Sequence, residues 1–209
     1  MTILVLTSLL IGYLLGSIPT AVWVAQWHKG IDIREHGSGN AGLTNVIRVL
    51  GWKPAMPVMI VDFFKGWLAP FFAVLIQRQL GVEQVDWVVV AAALLAVLGH
   101  SFTCFANFRG GKGVLTSLGV FMYLAPLAGI AAFVVWAIVL KATKYMSLAS
   151  IMGCMVLMAV SSFMYLQMEG QISVWVLGLC LFVGFFVIIK HKGNIKRLLN
   201  GTESKMGKK

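Results

Sequence analysis

The 209-residue chain is 59% hydrophobic and only 11% charged, and its mean hydropathy is +0.89. A soluble domain typically has about a quarter charged residues, so this composition excludes an ordinary cytosolic enzyme. The three cysteines lie in apolar segments and exclude a disulfide scaffold. We therefore expect an integral membrane protein, in which 17 Lys and Arg face 7 Asp and Glu.

Six apolar segments follow one another along the chain. A helix needs about 20 mostly apolar residues to cross a membrane. Five segments satisfy this requirement: 2–27, 54–76, 87–108, 145–168 and 170–189. The first has no basic start, so we interpret it as a retained span rather than a cleaved targeting segment. The sixth segment, 113–140, is charge-free and is interrupted by Pro126.

The cations predict how the chain is oriented, because Lys and Arg in short loops mark the cytoplasmic side. Residues 28–53 are basic, which places the N-terminus outside. A single crossing by 113–140 would put the basic tail outside, whereas a turn at the helix-breaking Pro126 returns it to the cytoplasm. We therefore predict an all-α polytopic membrane protein with seven helices, namely five full spans plus a broken half-crossing hairpin around Pro126.

In this topology every Lys and Arg except Arg78 and the intramembrane Lys65 is cytoplasmic. Orientation and attraction to anionic lipid account for much of that surplus. Nucleic acid is not an expected partner, because the cations are split among loops without an aromatic stacking platform. The lipid bilayer is an expected partner.

The first cytoplasmic segment, about 28–53, is rich in glycine and hydrogen-bond donors. Gly37 and Gly39 allow positive φ, so successive amides can form an anion-binding nest. Donor side chains follow at Ser38, Asn40, Thr44 and Asn45. Arg48 could close on a phosphate with a bidentate fork. A flexible loop is the alternative, since the same residue types favour one.

The second segment, about 99–113, ends in a glycine-rich turn. Three glycines surround a lysine there: Gly110, Gly111, Lys112 and Gly113. A nucleotide P-loop would require Gly in place of Ala106 and Ser or Thr in place of Gly113, so an ATP site of that type is not expected. Helix N-termini attract anions, and we predict a second phosphate site at this turn.

The third segment is the basic tail, about 190–205. If the tail is helical, His191 and Asn194 lie on one face and can act on one ligand. The ordinary pKa of histidine suits proton transfer near neutrality, although a solvated histidine is the alternative. Within the second span, Asp62 and Lys65 are also three residues apart, and either a mutual pair or substrate contact would explain them.

Four sequence motifs occur in order along the chain. They are Gly-Ser-Ile-Pro at 16–19; Gly-x-Asp-Ile-Arg with Gly-Ser-Gly-Asn-x-Gly-x-Thr-Asn at 30–45; Gly-His-x-Phe with Phe-x-Gly-Gly-Lys-Gly at 99–113; and His-x-x-Asn-Ile-x-Arg-Leu-Leu-x-Gly-Thr-Glu at 191–203. Together they resemble the PlsY family of bacterial membrane acyltransferases. The similarity covers nearly the whole chain, so we expect a single acyltransferase domain over 1–209.

The resemblance implies transfer of a fatty acyl group from acyl phosphate to the 1-hydroxyl of sn-glycerol 3-phosphate, at the cytoplasmic side of the bacterial inner membrane. The products would be lysophosphatidate and phosphate, and a functional link to the enzyme that makes acyl phosphate would follow. The implied catalytic residues are Ser38, Arg48, Lys112, His191 and Asn194. The implied substrate-binding residues are Gly37, Gly39, Asn40, Thr44, Asn45, Gly110, Gly111, Gly113 and Glu203. Glu203 would pair with a cationic loop residue and order the tail.

The sequence lacks the His-x4-Asp pair of other acyltransferases of this substrate class. Acyl phosphate already has a good leaving group, so we expect direct attack by the substrate hydroxyl without a covalent acyl-enzyme. The base could be His191 or the substrate's own phosphate. No metal or other cofactor is expected. A transporter, or a structural lipid-anchoring protein, is the competing class, since broken helices and midplane charges also occur in transporters.

Overall fold

The structure is a computed structural model that describes residues 1–168 and 170–207. In these ranges the chain forms ten α-helices and no β-strand, which confirms the all-α prediction. The helices are α1 Thr2–Ser17, α2 Thr20–Lys29, α3 Leu43–Leu50, α4 Trp52–Gln79, α5 Asp86–Ser101, α6 Val114–Leu124, α7 Pro126–Thr143, α8 Met146–Gln167, α9 Val174–Lys190 and α10 Lys192–Leu199. Two short 3₁₀ turns lie at Ile33–Glu35 and Cys104–Ala106.

Five segments of the described chain are long and apolar enough to cross a membrane: Thr2–Lys29, Trp52–Gln79, Asp86–Ala106, Pro126–Thr143 and Met146–Gln167. A sixth is possible if α9 and α10, which meet at an angle of 56°, count as one span. Four of the five predicted spans coincide with these segments, and α9 occupies the predicted fifth. The protein is therefore a polytopic membrane protein, and the side faced by each end stays a prediction.

The helix number differs from the predicted seven for local reasons. The first span is divided because Pro19 has no N–H for a continuous helix, so α1 ends before it and α2 begins after it. Two short helices also form outside the apolar segments, α3 after the first glycine loop, residues 30–42, and α10 in the tail.

The predicted break at Pro126 is present, with the proline at the first position of α7. Its two arms are unequal, however, with 11 residues in α6 and 18 in α7. Eighteen residues rise about 27 Å, so α7 is long enough for a full crossing rather than the predicted half-crossing. Sequence composition marked the break but not the lengths of the arms.

The contacts divide the chain into two compact units, Met1–Tyr123 and Leu124–Lys209. In the first unit, α1 packs closely against α5. A Cβ at Gly12 would lie 2.3 Å from the carbonyl oxygen of Ala92, and one at Gly16 would lie 2.1 Å from that of Ala96. Small residues allow such backbone approach where apolar lipid gives helices no hydrophobic reason to associate.

In the second unit, α8 packs between α7 and α9. The tail returns to this unit after α10, where the Met206 amide donates a hydrogen bond to the Lys144 carbonyl at 2.8 Å. The Lys205 ammonium lies 5.3 Å from the centroid of the Tyr145 ring, a cation–π contact. These contacts fasten the tail to the start of α8.

We expect Gly16→Ala to destabilise the protein by about 1 to 3 kcal/mol, because the new methyl group collides with backbone that cannot move aside. Gly178→Ala is the matched control, since its Cβ would meet nothing within 4 Å. Alanine at that helical position should be neutral or slightly stabilising. Thermal unfolding in detergent measures both, and equal melting temperatures would contradict the packing argument.

Candidate functional site

The first glycine loop is held in shape by Asn45. Its side chain is 0% exposed. The amide group donates to the carbonyls of Ile33 and His36, both at 2.9 Å, and its oxygen accepts the Ser38 amide at 2.8 Å. All three bonds go to the loop's own backbone. The resemblance suggested Asn45 as a substrate contact. In the structure its side-chain amide holds the conformation of the loop instead.

Ser38 lies exposed between two glycines with left-handed backbone. Gly37 has φ 62° and Gly39 has φ 72°. A Cβ at Gly37 would also lie 2.3 Å from the Asn45 side-chain oxygen, so glycine is required there for space as well as for backbone angle. Asn40 and Thr44 are half-buried beside this turn.

The loop leads into α3, which presents Arg48 to solvent. A buried apolar cluster holds this helix and the loop: Ala21, Ala25, Ile33, Ala41, Val46, Ala55 and Val58. The cluster joins α2, the loop, α3 and α4, so Arg48 projects from a fixed helix rather than from a flexible loop.

Arg34 connects the first glycine loop to the second glycine loop, residues 102–113. Its guanidinium pairs with Asp32 at 2.7 Å and donates to the Ala106 carbonyl, also at 2.7 Å. The hydrogen bonds that Arg34 donates to Asp32 hold the pKa of the Asp32 carboxyl below its usual range, against a smaller opposing effect of burial. Sequence reasoning did not identify Arg34 as a bridge, because its partner is a backbone carbonyl distant in the chain.

The second loop packs tightly against the end of α5. The amides of Gly110 and Gly111 donate to the carbonyls of Ser101 and His100, at 3.1 and 3.0 Å. A Cβ at Gly110 would lie 2.0 Å from the His100 carbonyl oxygen. These two glycines therefore serve close packing, and their amides are already hydrogen-bonded to the end of α5.

Lys112 is half-buried and lies two residues before the first residue of α6. Gly113, between them, has φ 83°, a left-handed conformation that favours glycine. The lysine thus lies beside a helix N-terminus, as the sequence predicted, and phosphate binding there stays a prediction.

His191 lies at the bend between α9 and α10 and is 3% exposed. The tail is helical from Lys192, and His191 is the N-cap residue of α10. His191 Nδ1 lies 2.8 Å from the Val187 carbonyl oxygen. Because a carbonyl only accepts, Nδ1 donates, and the neutral ring carries its basic lone pair on Nε2.

Glu203 gathers three donors from α8 and α10. One oxygen accepts from Ser147 Oγ at 2.6 Å and Asn194 Nδ2 at 2.7 Å, and the other pairs with Arg197 Nε at 2.7 Å. Glu203 therefore pairs with a cation, but this cation belongs to α10 and not to a loop as the resemblance implied. Burial alone would raise the pKa of Glu203, but the three hydrogen bonds together hold it below its usual value. Ser147 was missed because it begins an apolar helix without a motif.

Asp62 and Lys65 form a buried ion pair in the first unit. The Lys65 Nζ to Asp62 Oδ1 distance is 2.7 Å, and both side chains are 3% exposed. Lys65 also donates to the Ile18 carbonyl at 2.9 Å, and the Thr20 hydroxyl donates to Asp62 at 3.3 Å. Of the two explanations left open by the sequence, the mutual pair is the one present.

Membrane-length helices and donor-rich loops define an α-helical integral membrane protein with candidate anion-binding segments. A family model described as glycerol-3-phosphate acyltransferase matches residues 6–201. The chain belongs to this family.

Curated relatives match over nearly their whole length. A glycerol-3-phosphate acyltransferase of Listeria monocytogenes is 43% identical, with 99% of this chain and 98% of the relative covered. One from Thermus thermophilus is 41% identical, with 97% and 95% covered.

Two crystal structures of PlsY, described as an integral membrane glycerol 3-phosphate acyltransferase, are similar to this chain. The glycerol 3-phosphate form has a TM-score of 0.84 at 37% identity, with 97% of this chain and 96% of that one covered. The lysophosphatidic acid form has a TM-score of 0.79 at the same identity, with 97% and 95% covered.

We expect Glu203→Gln to lower the stability at pH 7 by about 1 to 3 kcal/mol, since charge-assisted hydrogen bonds to the tail are lost. Because the folded-state pKa of Glu203 is lowered, its carboxylate stabilises the fold fully above the ordinary pKa of 4.5. This stabilisation is lost as the pH falls through the folded-state pKa. The difference from the unmodified protein should therefore shrink on acidification. Thermal unfolding at several pH values measures it, with the exposed Glu83→Gln as control. A difference independent of pH would contradict this assignment.

Proposed function

We propose that the protein transfers a fatty acyl group from acyl phosphate to the 1-hydroxyl of sn-glycerol 3-phosphate, giving 1-acylglycerol 3-phosphate and inorganic phosphate. The similarity to PlsY in its glycerol 3-phosphate form, over 97% of this chain, carries the acceptor assignment. The family match over 6–201 supports the same reaction class.

Ser38, Arg48 and Lys112 bind phosphate and stabilise developing negative charge in this proposal. Ser38 is exposed at a turn with left-handed glycines on both sides. Arg48 supplies a planar fork suited to phosphate oxygens, and Lys112 supplies a compact charge beside a helix N-terminus. Cations held on packed elements stabilise a transition state with little reorganisation.

His191 and Asn194 orient glycerol 3-phosphate in the same scheme. The neutral His191 ring has its basic nitrogen at Nε2, which suits acceptance of the hydroxyl proton. The substrate's own phosphate is the other candidate base. Asn194 already donates to Glu203 at 2.7 Å, so the carboxylate fixes how the amide is turned.

Acyl phosphate is the donor that fits direct transfer. The attacking hydroxyl forms the ester bond, the carbonyl–phosphate bond breaks, and inorganic phosphate leaves with its electron pair. Because this mixed anhydride is already activated, no protein nucleophile is needed. The reaction takes place at the cytoplasmic face of the bacterial inner membrane in this proposal. A separate enzyme that makes acyl phosphate supplies the donor.

Purified protein in a lipidic medium should release phosphate and form lysophosphatidate from acyl phosphate and glycerol 3-phosphate. Parallel reactions with acyl-CoA and acyl-carrier protein test the donor. Product from only these two donors would overturn the acyl phosphate assignment while leaving the acceptor intact.

Arg48→Ala and Lys112→Ala should each lower kcat/KM by about 100-fold or more, because a transition-state charge contact is lost. Both variants should keep the melting temperature, since neither side chain packs in the buried apolar cluster. Steady-state kinetics with both substrates measures the effect. Unchanged kinetics in both would refute their phosphate-binding role, and full activity of a folded His191→Ala at low substrate would remove His191 from the mechanism.

A further inference from the structure

The proposed chemical steps use none of the three buried polar residues Asp62, Lys65 and His100. The first two form the ion pair at 2.7 Å, and His100 Nδ1 lies 3.8 Å from Asp62 Oδ1. This last distance is too long for a direct hydrogen bond, so the His100 ring lies next to the pair without bonding to Asp62 directly. An ion pair in such surroundings is costly to break, because one partner alone leaves an uncompensated buried charge.

The cluster lies beside a small cavity of about 10 Å³, room for roughly one water molecule. The break between α1 and α2 contributes Ile18 and Thr20 to its lining, and the second loop contributes Gly110 and Gly111. Ala41 of the first loop also lines it. The three side chains thus lie where the helix break and both phosphate-binding loops meet.

His100 connects this cluster to Lys112 through the backbone of Gly111. The Gly111 amide donates to the His100 carbonyl at 3.0 Å. A Cβ at Gly111 would lie 2.3 Å from His100 Nε2 and 2.7 Å from the Ala41 carbonyl oxygen. The glycine is therefore enclosed between the histidine ring and the first loop, and Lys112 is the next residue.

We propose that the Asp62–Lys65 pair fixes the His100 ring, and that the ring positions Lys112 for phosphate binding. His100 is a positioning residue in this scheme, because it acts through Gly111 rather than by contact with substrate. The inference rests on the phosphate-binding role proposed for Lys112. It predicts that the effect of changing His100 depends on Lys112 being present.

A double-mutant cycle on binding tests this dependence without an acyl donor. Calorimetry measures the Kd of glycerol 3-phosphate and of inorganic phosphate for the unmodified protein, His100→Ala, Lys112→Ala and the double variant. We expect His100→Ala to raise Kd about 10-fold in the unmodified background and less than about 2-fold in the Lys112→Ala background, since contacting elements are coupled. His28→Gln, at an exposed position on α2, is the control and should leave Kd unchanged.

A second variant separates positioning from stability. Asp62→Asn with Lys65→Gln removes both charges together, which a fold tolerates better than the loss of one. We expect a protein that still folds, as its thermal unfolding transition will show, but whose Kd is raised about 5-fold only when Lys112 is present.

An equal rise in Kd with and without Lys112, or no rise at all, would overturn the positioning role while the unmodified protein still binds. Loss of folding in both His100→Ala and the double neutral variant would make the cluster a stability element and would overturn the proposal too. Absence of binding in the unmodified protein would refute the proposed function first, and this inference with it.

Discussion

The Asp62–Lys65 ion pair is the interaction on which the first unit is arranged. Pro19 interrupts the first span, and the interruption exposes backbone that a membrane interior must satisfy. Lys65 supplies a donor to the Ile18 carbonyl, and Asp62 accepts from Thr20 across the break. The two charges therefore neutralise each other and also satisfy backbone and side-chain groups at the helix break. This explains why both side chains can be buried, each only 3% exposed.

The same requirement for satisfied backbone shapes the two glycine loops. Asn45 uses its whole side-chain amide on the first loop, and the amides of Gly110 and Gly111 are used on the end of α5. Much of the donor capacity in these loops thus maintains their conformation. Side chains at the edges, such as Ser38 and Arg48, are exposed and available to a ligand.

The second unit solves a similar problem with a carboxylate. Glu203 draws donors from Ser147, Asn194 and Arg197, so the tail is fastened to α8 and α10 by one buried charge. The bend at His191 leaves that ring 3% exposed, with Nδ1 directed at Val187. A residue that composition alone would place in a solvated tail is therefore held in one orientation.

Composition and local pattern were sufficient to determine a polytopic α-helical membrane protein, its family and the break at Pro126, because hydrophobic length, proline geometry and ordered motifs are properties of the chain itself. Ser147 and His100 contact residues distant in sequence, Glu203 and Asp62, and the contacts of Asn45 depend on how its own loop folds back on it. Their surroundings arise only when helices pack and backbone groups from separate loops must be satisfied. Tertiary structure alone therefore decided which polar residues support the loops and which of them stay exposed at the loop edges.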